Sequence, residues 1–157
     1  MPPLDSLIKL FGFYRAPIVL LERVPMRLVP RFGVVDVQPA HSRPKFLRGR
    51  MYQVSKVVEK PPLKTAPSNL TVVGGYILTP RVLRSLKLVS DSLPVVADDA
   101  IPINIGLQIE LVLGGKVYGW EFPGNRLDCG TPERLKQAEK LLLNHGTQLR
   151  PSYKKSI

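Results

Sequence analysis

The sequence predicts an α/β domain. Short β-branched runs alternate with stretches whose apolar residues recur at helical spacing, and proline and glycine mark most of the boundaries. The 157 residues are enough for one domain with a real core and too few for two ordinary ones. A hydrophobic fraction of 44% and a mean hydropathy of +0.02 suit a globular protein. No apolar run approaches the ~20 residues that a membrane helix needs.

Taken in order, Leu4, Leu7, Ile8, Phe11 and Tyr14 predict an amphipathic helix over 4–14, ended near Pro17. Ile18-Val19-Leu20-Leu21 reads as a short buried strand, followed by a helical turn reaching Pro30. Phe32 to Val37 is a second strand with Gly33 near its start, where a missing side chain allows another group to approach closely. Residues 38–50, rich in proline, arginine and lysine, read as an exposed loop. Residues 51–58 form a strand that pairs hairpin-like with the preceding one. Pro61-Pro62 forbids its continuation, and a further strand, 70–78, carries Gly74-Gly75.

Thr79-Pro80 starts a helix that is expected to run through Leu88, with a linker over 89–98. The apolar stretch 100–113 reads as a helix with Pro102 near its start. Gly114-Gly115 turns the chain into a strand over 116–122. Thr131-Pro132-Glu133 starts the last helix, with Leu135, Ala138, Leu141 and Leu142 on its apolar face. The expected domain covers 1–147, followed by a basic, flexible tail over 148–157.

The formal net charge is +11 and the pI about 10.1, a balance that favours phosphate-bearing partners, from nucleotides to nucleic acid. The positive residues are dispersed, with one cluster at Arg43, Lys45, Arg48 and Arg50, and few aromatics are interleaved with them. This argues against single-strand stacking. One cysteine, Cys129, excludes an internal disulfide, and with two histidines, His41 and His145, no zinc spacing exists. The N-terminus lacks the charged region and apolar stretch of a signal peptide, so a cytoplasmic location is expected.

The chemistry-bearing stretch is Val57-Val58-Glu59-Lys60-Pro61-Pro62, a strand that ends on an adjacent carboxylate and ammonium. Strand ends are where α/β sheets present ligand-binding groups. Lys60 suits a phosphate oxygen. Glu59, acceptor-only when ionised, suits the hydroxyls of a sugar. A surface ion pair at a strand end is the alternative local reading. Asp128, after a strand and before a helix, suits a hard cation such as Mg2+ or, equally, the cap of the next helix.

Four stretches in order resemble the sugar-binding half of bacterial UTP–glucose-1-phosphate uridylyltransferases, the UDP-glucose pyrophosphorylases of the sugar-phosphate nucleotidyltransferase family. They are Leu21-Glu22-Arg23-Val24-Pro25 leading to Arg31-Phe32-Gly33-Val34-Val35; Val57-Val58-Glu59-Lys60-Pro61; Ala66-Pro67-Ser68-Asn69-Leu70 with Val73-Gly74-Gly75-Tyr76-Ile77-Leu78-Thr79-Pro80; and Gly124-Asn125-Arg126-Leu127-Asp128-Cys129-Gly130-Thr131. The resemblance covers most of residues 4–145. It implies a partial Rossmann-like nucleotidyltransferase domain with a mixed β-sheet flanked by helices. The implied reaction transfers UMP from UTP to glucose 1-phosphate, giving UDP-glucose and pyrophosphate with magnesium. By motif, Gly33 and Glu59 would contact the glucose and Val72 would line its pocket. Lys60, the implied catalytic residue, would hold the sugar phosphate, and Asp128 would be one of two metal aspartates.

The family's Gly-rich nucleotide loop, its signature arginine and the first metal aspartate lie upstream of anything in this sequence. The chain therefore reads as a C-terminal portion, and on its own it is expected to be inactive. Its sheet is expected to be incomplete, with an exposed apolar edge for the other half. The expected partners are glucose 1-phosphate and UTP or UDP-glucose, with a second copy or a complementing N-terminal half; neither a membrane nor nucleic acid is expected. A second departure lies in 98–105, where Pro102 and Ile105 stand in place of polar residues of the family's helix start. The rival readings are a non-catalytic sugar-phosphate-binding or assembly module and, behind it, a basic nucleic-acid-binding domain.

Overall fold

The computed structural model describes residues 3–92, 101–123 and 132–144. The described chain falls into two units: one ends at Pro123 and the other contains the last helix. The elements run α1 (Pro3–Tyr14), β1 (Ile18–Arg23), a 3-10 turn (Met26–Arg31), β2 (Gly33–Pro39), β3 (Arg50–Glu59), a second short 3-10 turn (Leu63–Thr65), β4 (Leu70–Ile77), α2 (Pro80–Ser92), α3 (Ile103–Val112), β5 (Val117–Glu121) and α4 (Pro132–Asn144). The Asp128 turn, Cys129, most of the 89–98 linker and the tail after Asn144 lie outside the described residues.

The sheet is mixed. β1 runs parallel to β5, pairing Ile18 with Tyr118 through Leu21 with Glu121, and every other pairing is antiparallel. The strand order β1-β4-β2-β3-β5 closes back on β1. The expectation of an incomplete sheet with an exposed edge is therefore corrected: each of the five strands has two partners. Ten-residue β3 makes this closure possible. It pairs with β5 over 50–54 and with β2 over 52–59, while β2 meets β4 through a single partner pair, Val34 and Thr71.

Alternation along the strands sends most side chains into two larger apolar layers, with a small third cluster at Val24, Val29 and Val34. Val19 and Leu21 of β1 join Val57, Val72, Val117, Val82 of α2 and Leu107 of α3. Ile18, with Leu20 partly buried beside it, faces the other way, toward Leu7 and Leu10 of α1 and toward Met51 and Trp120. Leu47 packs into this second layer and pins the largely exposed loop between β2 and β3, where Pro44 is also buried. The helix face expected on α1 is also shifted: Leu7 and Leu10 are buried, whereas Leu4 and Ile8 stay exposed.

Strict alternation breaks on β3, where Val54 and Val57 both enter the same layer. The ladder accounts for it. Asp36 pairs with Lys56 and Val37 with Val54, so Ser55 is an extra residue that flips the parity of the strand beyond it. A comparable irregularity explains the paired glycines of β4. Val19 pairs with Tyr76 and Leu20 with Val73, which leaves Gly74-Gly75 unpaired opposite the step. A Cβ on Gly75 would drive into Leu20.

Two helix boundaries differ from expectation. α2 continues to Ser92 rather than stopping at Leu88, its last turn held by the Lys87–Asp91 ion pair at i, i+4, 3.0 Å. α3 begins at Ile103, because Pro102 keeps an extended ψ of 133° and occupies the cap position.

Where β3 and β5 meet, Glu121 accepts a hydrogen bond from the Tyr52 hydroxyl at 2.6 Å and from Arg23 Nε at 3.3 Å. Burial alone would raise the Glu121 carboxyl. The Tyr52 and Arg23 hydrogen bonds, with the charges of Arg23 and Arg50, outweigh it and hold the group below its ordinary value. A carboxylate held low in the folded state adds stability above its unfolded range and loses it as pH falls through the folded value. Tyr52→Phe is therefore expected to cost about 1.5–3 kcal/mol near neutral pH, the range for a hydrogen bond to a charged group. Urea denaturation should show that cost shrinking in acid, once Glu121 is protonated.

Candidate functional site

Gly33, the first residue of β2, pairs across the ladder with Glu59, the last residue of β3. β5 has already left β3 by this point, since their pairing ends at Val54 and Val117. That edge of β3 needs a cover, and α3 packs along β3 to provide it. Gln108 Oε1 accepts the Val57 N–H at 2.8 Å, and one turn earlier Asn104 Nδ2 donates to Glu59 Oε2 at 2.6 Å. The match is geometric: one helical turn rises about 6 Å over four residues, close to the roughly 6.6 Å of a two-residue step along a strand.

The glycine at 33 follows from the same packing. A Cβ there would overlap the Asn104 Nδ2, approach its Cγ to 2.8 Å, and lie 3.2 Å from Glu59 Oε2. The group that comes close to Gly33 is thus an amide of the protein itself.

Lys60 leaves the strand with φ of +43°, a left-handed conformation rare for a residue with a Cβ and disfavoured further by the proline after it. Its N–H returns to the Phe32 carbonyl at 3.0 Å, which fixes the turn. The Lys60 Nζ lies 3.8 Å from Glu59 Oε1, and its side chain is 64% exposed against 29% for Glu59. So exposed a pair adds little stability.

Tyr76, half-buried on β4, completes the neighbourhood. Burial, and then the negative charge of Glu59, push its phenol above the ordinary value. Val72 is 5% exposed and packs in the core with Val57 and Leu107. The structure thus brings Gly33, Glu59 and Lys60 together over a core that contains Val72, while Asp128 lies outside the described residues. Among the described residues no three His, Cys, Asp or Glu side chains converge as a metal site.

Sequence reasoning missed Asn104, Gln108 and Tyr76. The available signal was the pair of amides four residues apart in an otherwise apolar helix, which places both on one face. At the far end of β3, roughly 20 Å away by strand rise, a cleft of about 410 Å³ is lined by Tyr14, His41, Ser42, Gln53, Lys116 and Tyr118. It contains none of the expected site residues.

The mixed sheet carries helices on its two larger apolar layers, and its Glu-Lys-Pro strand end faces an amide-bearing helix. The chain belongs to the nucleotidyl transferase family, a family of enzymes, whose sequence model matches residues 3–144. It is 32% identical over 130 residues to the UTP–glucose-1-phosphate uridylyltransferase of Pseudomonas aeruginosa, an alignment covering 83% of this chain and 42% of that one. Against the Bacillus subtilis uridylyltransferase it is 33% identical over 129 residues, covering 82% and 40%. The chain thus spans about two fifths of the length of these curated relatives. Its structure is similar to an apo UDP-glucose pyrophosphorylase, with a TM-score of 0.73 and 29% identity over 91% of this chain and 48% of that one. A UDP-glucose pyrophosphorylase complexed with UDP-glucose matches with a TM-score of 0.72 and 28% identity, covering 92% and 51%.

Proposed function

We propose that this chain forms the glucose 1-phosphate side of a uridylyltransferase site, for the reaction of UTP with glucose 1-phosphate that yields UDP-glucose and pyrophosphate. The observation that carries the reading is the Glu59 carboxylate, held by Asn104 on one oxygen and flanked by Lys60 on the other. A carboxylate accepts about four hydrogen bonds, so Glu59 keeps lone pairs for two neighbouring sugar hydroxyls. The exposed Lys60 ammonium then reaches the phosphate on the anomeric carbon. Gly33 makes room for the Asn104 amide that holds Glu59, and Val72 belongs to the core that supports β4.

In the reaction a phosphate oxygen of glucose 1-phosphate attacks the α-phosphorus of UTP. One P–O bond forms, the bond to the β-phosphate breaks, and pyrophosphate leaves with the electron pair. The attacking phosphate is already an anion, so positioning and charge neutralisation matter more than an acid–base residue. Lys60 orients the nucleophilic phosphate and offsets its charge. Magnesium, where it takes part, would neutralise the triphosphate. Asp128 is the residue proposed to hold it, and the carboxylate at Glu59, paired with an amide and an ammonium, does not fit a metal.

Titration of the chain with glucose 1-phosphate tests this reading. Binding is expected, and Lys60→Ala should weaken it about tenfold or more, equivalent to about 1.4 kcal/mol. Equal affinity in the two proteins, or no binding by the wild-type chain, would overturn it.

A further inference from the structure

Asn104 occupies an unusual position. Its Nδ2 makes the short 2.6 Å bond to Glu59, and its Oδ1 is buried with no hydrogen-bond partner among the described residues. The reverse orientation of the amide would set that oxygen against the carboxylate, so repulsion fixes the donor toward Glu59. The space it fills exists only because residue 33 lacks a Cβ. α3 is registered on β3 by the second amide, Gln108, at Val57. Among the described residues that oxygen has no partner, and a buried amide oxygen without one is costly to keep as packing alone.

Glu59 supplies the reason. Its carboxylate sits at the end of a strand, next to a strained turn, and its other near neighbour is an exposed ammonium 3.8 Å away. Without Asn104 nothing short would fix the rotation of the carboxylate about its last bond. We infer that Asn104 is a positioning residue: it locks the plane of the Glu59 carboxylate so that both oxygens meet adjacent hydroxyls of one pyranose, and thereby sets which sugar phosphate is accepted. It acts through Glu59 and does not touch the sugar. This inference rests on the sugar-phosphate reading above.

The test separates selectivity from affinity. Calorimetric titration compares glucose 1-phosphate with a panel of analogues, each lacking one ring hydroxyl, and with inorganic phosphate. The wild-type chain should prefer glucose 1-phosphate over at least one analogue by about tenfold, the scale of one hydrogen bond to a charged acceptor. Asn104→Ala should bring that ratio close to one while leaving inorganic phosphate, held by Lys60, bound as before. A role confined to packing would alter stability or all affinities together, and would leave the ratio standing.

Asn104→Asp provides an internal rescue. In mild alkali the introduced carboxylate and Glu59 repel, and the ratio should be lost. In mild acid one shared proton lets the introduced carboxyl donate to Glu59 much as the amide does, and the ratio should return. Because the ratio compares two phosphate monoesters, protonation of the phosphates cancels. A wild-type ratio kept by Asn104→Ala, or one in Asn104→Asp that ignores pH, would overturn the inference while the binding reading stands. Absence of any glucose 1-phosphate binding by the wild-type chain would overturn both.

Discussion

Gly33→Ala is expected to disable the sugar side of the site with little change in the rest of the sheet. The new methyl group falls on the Asn104 amide and close to Glu59 Oε2, so the amide must shift from the position in which it meets the carboxylate. Asn104 must swing away, and the carboxylate loses its short contact. Affinity for glucose 1-phosphate should fall by about tenfold or more, since a charge-assisted hydrogen bond of this kind contributes about 1.5–3 kcal/mol. Overpacking should add a stability cost of about 1–3 kcal/mol. Calorimetry and urea denaturation read the two effects separately. An alanine variant that binds as tightly as wild type would show that the Gly33–Asn104–Glu59 packing is not part of recognition.

The second large effect runs in opposite directions on stability and binding. Lys60 holds φ of +43°, a conformation that costs a side-chain-bearing residue roughly 1–2 kcal/mol. Glycine takes it without that cost but loses more chain entropy on folding, roughly 0.5–1 kcal/mol. Lys60→Gly should therefore stabilise the chain slightly, by about 0.5–1 kcal/mol, while lowering glucose 1-phosphate affinity at least about tenfold. Lys60→Ala removes the same ammonium but keeps the strain, so it should lose affinity without gaining stability. Thermal unfolding of the three proteins side by side decides the matter. Equal stability of the Gly and Ala variants would remove strain from the account.

The order of strands and helices was legible because β-branched runs, proline caps and glycine breaks are local signals. Glu59, Lys60 and Gly33 were legible as residues, yet the reason for Gly33 was not. Its close neighbour comes from a helix 71 positions later, and local pattern carries no such information. Ring closure was hidden for the same reason, resting on one Val34–Thr71 pair and on a strand long enough to serve two partners. The Ser55 irregularity appeared in the sequence only as a lapse in alternation, between Val54 and Val57. Asn104 and Gln108 stood in plain view four residues apart, but an apolar helix draws attention to its apolar residues. The extra turn of α2 carries the Lys87–Asp91 pair, a contribution too small to read from composition.

The central claim is that Glu59 and Lys60 at the end of β3 receive the sugar and the phosphate of one ligand. A crystal structure of this chain with glucose 1-phosphate tests it most directly. Two adjacent ring hydroxyls are expected on the Glu59 carboxylate, with the phosphate at the Lys60 ammonium and the Asn104 bond to Glu59 intact. Glucose 1-phosphate seated instead in the cleft between Tyr14 and Tyr118, with Glu59 and Lys60 untouched, would contradict it.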